Sequence, residues 1–177
     1  MTELGSAPVP APGPEDHVRG PEGATLLIEY SDFECPFCAA LAQRTRGLPV
    51  RHVFRHFPVA SSHPRAWPAA CAAEAAALQG RFWEMHDLVF ADPGRLEDPD
   101  IWSRARVLGL DLERFEADRR SDEVRQRVKR DFQAGVRAGV VTTPTVFCQG
   151  QVRAGSAAIQ ALAGLAPLPS SRSDQKK

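Results

Sequence analysis

The chain is poor in the features that place a sequence quickly. Four cysteines in 177 residues are too few for a scaffold built on disulfides. Basic and acidic residues number 22 each, so the formal charge cancels. No basic stripe stands out, which leaves a nucleic-acid partner without electrostatic support. No apolar run approaches the roughly 18 residues of a spanning helix, so membrane insertion is not expected. Met1 to Pro14 lacks the basic-then-apolar order of a secretory leader, and the expected location is cytoplasmic. No internal repeat is visible. What the chain does have is 43% hydrophobic residues, enough for one core without staples. Its length fits one domain, or one domain carrying an insertion.

The most informative stretch is Cys35-Pro36-Phe37-Cys38. Two cysteines at this spacing can close a small disulfide and reopen it by exchange. Ala24 to Tyr30 upstream is apolar and strand-like, and Ala39 to Arg44 downstream is a helix-forming run. The pair therefore falls where a strand becomes a helix. Pro36 suits the first helical position, where a missing N–H costs nothing. Cys35 then sits at a helix N-terminus, where unpaired amides and the dipole favour a thiolate. The alternative is half of a zinc site. Four-thiolate zinc needs a second close pair, and Cys71 and Cys148 stand alone and far apart.

Periodicity and breakers give an order of elements. Residues 1–20 read as a disordered proline-rich tail, with four prolines between Ala7 and Pro14. A strand spans about Ala24 to Tyr30, a short helix follows from Cys35, and Val50 to Phe57 is a second strand. This βαβ setting is the one in which a C-x-x-C reads as thioredoxin-like. Helices are expected over Ala69–Gln79, with an irregular start because of Pro64 and Pro68, then over Arg81–Phe90, Asp98–Leu108 and Asp111–Arg119. Another, capped by Ser121, reaches Ala138. Strands return at Thr145–Cys148 and Gln151–Ala154, and a last helix runs from Ala157 to about Leu165. The division is an α/β domain at 21–60 and 140–166, an inserted helical subdomain at 61–139, and a flexible tail at 167–177.

Thr143-Pro144-Thr145 precedes a returning strand, where Pro144 either takes the cis form or simply starts the strand. Glu29 is a carboxylate in an apolar strand. If buried, its pKa would rise and suit it to exchange a proton with Cys38; if outward-facing, it is merely solvated. Cys71 and Cys148 read as buried, inert thiols. The histidines show no ligand spacing on one face. Arg55, His56 and His63 read as solvated or structural, Phe82 and Trp83 as core anchors, and Arg119 to Arg130 as a solvated helix face.

Four segments together resemble the DsbA-like branch of the thioredoxin superfamily: Glu29 to Cys38, Phe54 to Pro58, Gly80 to His86, and Gly139 to Thr145. They cover roughly residues 16–163 in the family's order. Similar domains occur fused behind sodium/proton antiporters. The resemblance implies a thioredoxin fold with an inserted helical domain, thiol–disulfide oxidoreductase activity and no bound cofactor. It implies Cys35 as the attacking cysteine, Cys38 as the resolving one, Pro144 as the cis-proline and Glu29 as the buried acid. In such a fold Thr143 offers backbone hydrogen bonds to an extended peptide, beside Pro36 and Phe37. Partners would be protein or peptide thiols and disulfides and a redox recycling partner. The chain departs from the pattern in carrying Pro-Phe where the family's periplasmic oxidant has Pro-His, and Cys148 where valine or isoleucine is usual. Two other readings stay open: a binding module with structural or zinc-bound cysteines, and an enzyme acting on glutathione or another small molecule.

Overall fold

The computed structural model describes residues 8–162 and 165. Their elements run β1 (His17–Arg19), β2 (Thr25–Ser31), α1 (Pro36–Thr45), β3 (Val50–His56), α2 (Ala66–Ala77), α3 (Phe82–Ala91) and α4 (Asp98–Val107). There follow α5 (Leu112–Arg120), α6 (Asp122–Arg137), β4 (Thr145–Cys148), β5 (Gln151–Ala154) and α7 (Ser156–Ala161). The strands form one sheet in the order β1-β3-β2-β4-β5. Only β2 and β3 are parallel, joined through α1, while the other pairings are antiparallel. Helices α2 to α6 are inserted between β3 and β4, which gives the thioredoxin-like α/β fold with a helical insertion.

Strand alternation assigns the two faces. Leu27, Glu29 and Ser31 share one face with His52, Phe54 and His56 of β3. At one end of this face Leu27 and Val50 pack with Leu41 of α1 and with Ala158 and Leu162. Towards the other end Phe54 joins a larger core built with α1, the alanine-rich α2, and α3. The opposite face buries Ile28, Tyr30, Val53 and Phe57 with Phe132 of α6. There α6 lies very close to the sheet. A β-carbon on Gly135 would stand 2.7 Å from the Phe57 ring and 2.9 Å from that of Tyr30. This contact explains a mid-helix glycine that otherwise costs about 1 kcal/mol.

The structure corrects the sequence reading in several places. His17–Arg19 is a strand paired with β3, not part of a disordered tail. The residues before it are also engaged. Arg55 is buried on β3 and needs acceptors, which come from Asp16 and from the Pro10 and Ala11 carbonyls. α2 begins three residues earlier than expected and holds Pro68 in its first turn, where an absent N–H breaks no intrahelical bond. Pro64 stays outside it. The tail assigned to 167–177 lies outside the described residues, as do residues 1–7.

Candidate active site

Cys35 is the N-cap of α1 and Pro36 opens the helix, so the dipeptide places one sulfur at the helix end and the other a turn inside. Cys35 is 4% exposed and Cys38 not at all, and both are free thiols. Their acidities are driven apart. The Cys38 S–H, donated to Cys35, lowers the Cys35 pKa to about 6, against the opposing effect of burial. The Phe37 and Cys38 amides and the Thr143 side chain also support the anion. In the thiol state, however, no capping bond of ordinary length is formed. Cys38 moves the other way, raised by burial first and by Cys35 second, although the Asp32 amide donates to its sulfur at 3.4 Å.

The segment 142–145 closes over the pair. The Thr143–Pro144 bond is cis, and the Cys35 thiol donates to the Thr143 carbonyl at 3.6 Å. The Pro144 carbonyl accepts from the Gly155 amide at 2.8 Å, which ties this loop to β5 and α7. Phe37, between the two cysteines, and Val141, two residues before Thr143, are 52% and 90% exposed. Pro36 is exposed next to Phe37, while Thr143 and Pro144 are buried.

Glu29 needs a correction. It is fully buried, but its pKa is lowered. Burial pushes it up, and the hydrogen bond and charge of His52 more than offset that. His52 Nε2 lies 2.7 Å from Glu29 Oε2, with both side chains inside the core. The strand reading missed this because the partner lies on the neighbouring strand, 23 residues away. Ser31, two residues along the same face, acts on both Glu29 and Cys38. Its hydroxyl nevertheless makes no hydrogen bond of normal length.

The sequence reading also passed over Asp32. Its buried carboxylate accepts from the Glu34 amide at 2.8 Å, the Val59 amide at 2.8 Å and His63 Nδ1 at 2.9 Å. It therefore pins the turn before Cys35 to the loop after β3. His63 is partly exposed. Burial works against its charge, yet Asp32, and beyond it Cys35, raise its pKa. Nothing local in the sequence marks this pair, because its members meet only across the fold.

Elsewhere, Glu74 Oε1 lies 2.7 Å from both His17 Nε2 and His56 Nε2, a group with ligand-like spacing that joins β1, β3 and α2. His56 is buried rather than solvated. With two N–H donors on Glu74, Arg127 at 4.0 Å and no partner for His56 Nδ1, the group fits a hydrogen-bonded tie better than a cation site. Among the described residues no third metal-ligating side chain is grouped with Cys35 and Cys38. Cys71 is buried in α2 with its pKa raised to about 11 by burial, and Cys148 is half-buried on β4. Arg119 and Arg127 are largely buried and paired, so the 119–130 stretch is not simply a solvated face.

A sheet of this order with helices inserted before β4 and a cysteine pair opening α1 defines a protein of the thioredoxin class, DsbA-like in its insertion. The thioredoxin family model matches residues 13–165, and the chain belongs to that family. Among solved structures it is similar to a thioredoxin-like oxidoreductase from Silicibacter pomeroyi, with 26% identity, a TM-score of 0.74, and 85% of this chain and 91% of that one covered. It also shares its fold with the thiol-disulfide exchange protein α-DsbA2 of Wolbachia pipientis, at 19% identity, a TM-score of 0.73 and 82% coverage of each. Among curated proteins it is 44% identical over 163 residues to the Na+/H+ antiporter NhaA 3 of Salinispora tropica, covering 87% of this chain and 24% of that protein. The chain thus spans about a quarter of the length of the curated relatives it matches. No helix among the described residues is long and apolar enough to cross a membrane.

Proposed function

We propose that the chain catalyses thiol–disulfide exchange through Cys35 and Cys38 on protein or peptide substrates, with a separate redox partner to recycle it. The observation that carries this reading is the placement of the pair, Cys35 at the N-cap of α1 against the Thr143 carbonyl and Cys38 fully buried a turn inside, an arrangement that lowers the Cys35 pKa to about 6 and raises that of Cys38. Near neutral pH Cys35 is mostly thiolate, the nucleophilic form, and Cys38 holds its proton until it is needed.

In the reducing direction the Cys35 thiolate attacks one sulfur of a substrate disulfide. A Cys35–substrate bond forms, the substrate S–S bond breaks, and the other substrate sulfur leaves as thiolate. Cys38 then loses its proton and attacks Cys35. The Cys35–Cys38 disulfide forms and the second substrate sulfur leaves, so two electrons pass to the substrate. The oxidising direction is the reverse. Glu29, held ionised by His52, is a weak base for the Cys38 proton. Its role in this reading is positional: through His52 it ties β2 to β3 beneath the cysteine pair.

A Cys35 pKa of about 6 lies between the values near 7 and near 3.5 that accompany a reductant and a strong oxidant. The reduction potential should fall between about −270 and about −120 mV. In a reducing cytoplasm the net flux would be reductive or isomerase-like. The test is equilibration with glutathione buffers read by thiol-alkylation mass, together with Cys38→Ser, which should accumulate mixed disulfides at Cys35. Failure of Cys35 and Cys38 to form a disulfide at any poise rejects the reading and returns attention to a structural or metal-bound pair.

A further inference from the structure

We propose that a cationic pocket beside the redox turn docks an acidic stretch of the disulfide-bearing polypeptide on which Cys35 acts. This rests on the exchange reading for the disulfide and on the pocket itself for the acidic stretch. A cavity of about 410 Å³ lies where the start of α2 meets α4, the end of α5 and α6. Arg65, Arg119, Arg120, Arg125 and Lys129 line it, against one carboxylate, Asp98. The Trp67 indole forms part of its wall.

The cations differ in how they are held. Arg119 is almost wholly buried between Glu116 and Asp98, Arg120 leans on Glu116, and Arg65 pairs with Glu97. Arg125 and Lys129 are exposed one turn apart on α6, and among the described residues neither joins an ion pair. On the same helix Arg127 pairs with Asp131 and Arg130 with Glu15. Like charges at i and i+4 disfavour a helix slightly. Solvation accounts for two exposed cations. It does not account for their facing three further guanidiniums across a concave wall. Guanidinium forks suit carboxylates, and their spread over several elements suits several carboxylates rather than one small anion.

The pocket is also placed to serve Cys35. The Arg65 amide donates to Glu34 Oε2 at 2.6 Å, and Glu34 precedes Cys35 in the chain. One hydrogen bond thus links the pocket wall to the redox turn. The proposal therefore assigns to the pocket the residues flanking the reacting cysteine of the substrate.

The test uses three disulfide-bridged peptides with one core, flanked by four glutamates, four serines or four lysines. For the wild-type chain kcat/KM should rank glutamate, serine, lysine, with about tenfold between the first two at low salt, the scale of two screened ion pairs. The gap should shrink as ionic strength rises towards physiological values. In the Arg125→Glu/Lys129→Glu variant the glutamate-to-serine ratio, an internal measure, should fall to one or below. Equal rates for all flanks, or a preference that survives in the variant, overturns the proposal. So does saturable binding of inorganic phosphate in the pocket without any flank effect, which would make it a small-anion site. A cysteine-free glutamate peptide, followed by tryptophan fluorescence against a Trp67→Phe control, reads the pocket separately. If it binds while no disulfide is turned over, the exchange reading has failed and the pocket has not.

Discussion

Cys35 and Cys71 are the same residue at the same burial, each 4% exposed and each on a helix, yet their thiols are shifted in opposite directions. Cys35, at the N-cap of α1, has a pKa of about 6; Cys71, inside α2, has one of about 11. Burial opposes the thiolate at both. At Cys35 a donated S–H, the first-turn amides and the Thr143 side chain outweigh it, and at Cys71 burial is the dominant cause. The histidines repeat the pattern. His63, beside Asp32, is raised, whereas burial lowers the fully buried His86 to about 4 despite its bond to Asp87. Burial sets the cost of charge, and the placement of donors and counter-charges decides which group carries one.

The largest test of that contrast is functional. Cys35→Ser should abolish exchange completely and Cys71→Ser should leave it, measured by reduction of a peptide disulfide. A Cys35→Ser protein that turns over removes the distinction.

The histidine half makes a stability claim. Native His86 stays neutral to about pH 4, while the unfolded residue protonates near its ordinary value of 6.5. Between these the unfolded state binds more protons, so stability falls as pH drops from about 6.5 to about 4 and loses nothing further from this residue below that. The loss amounts to a few kcal/mol by linkage. Denaturant melts of wild type and His86→Leu should show a shallower pH slope for the variant in this window.

Alkylation at neutral pH sharpens the cysteine half. The thiolate fractions at Cys35 and Cys71 differ by about ten-thousandfold, and the weaker nucleophilicity of the low-pKa thiol returns part of that, leaving about a hundredfold in favour of Cys35. Peptide mapping after brief iodoacetamide treatment measures it. The smallest effect is expected from Cys38→Ala, which removes the leading cause of the Cys35 shift. The alkylation midpoint of Cys35 should rise by about one unit, a tenfold change in the proton equilibrium. An unmoved midpoint would assign the acidity to the helix-end amides and Thr143.

The most local features were the most legible in the sequence. Pro36 after a strand places Cys35 at a helix start, and the Cys71 environment follows from the alanines around it. β1 escaped because three residues, His-Val-Arg, carry no alternation long enough to read, and pairing with β3 is what orders them. Glu29 was expected to titrate upward because its strand is apolar, and the His52 that reverses the direction lies on the next strand. Asp32–His63 joins residues 31 positions apart and leaves no motif, and of the cationic pocket only the 119–130 cluster is visible in the sequence, without the Arg65 and Asp98 that the fold brings to it.

The sheet ends in short strands on both sides, three residues in β1 and four in β5, the latter exposed along its length and carrying Arg153. Open edges are templates on which extended chains add themselves as further strands, and short or charged ones resist this. A protein whose proposed work is to meet unfolded, disulfide-bearing chains offers them little to polymerise along. Beside Cys35 the exposed apolar surface is the Phe37 side chain at a helix start, which gives an incoming chain no strand edge to extend.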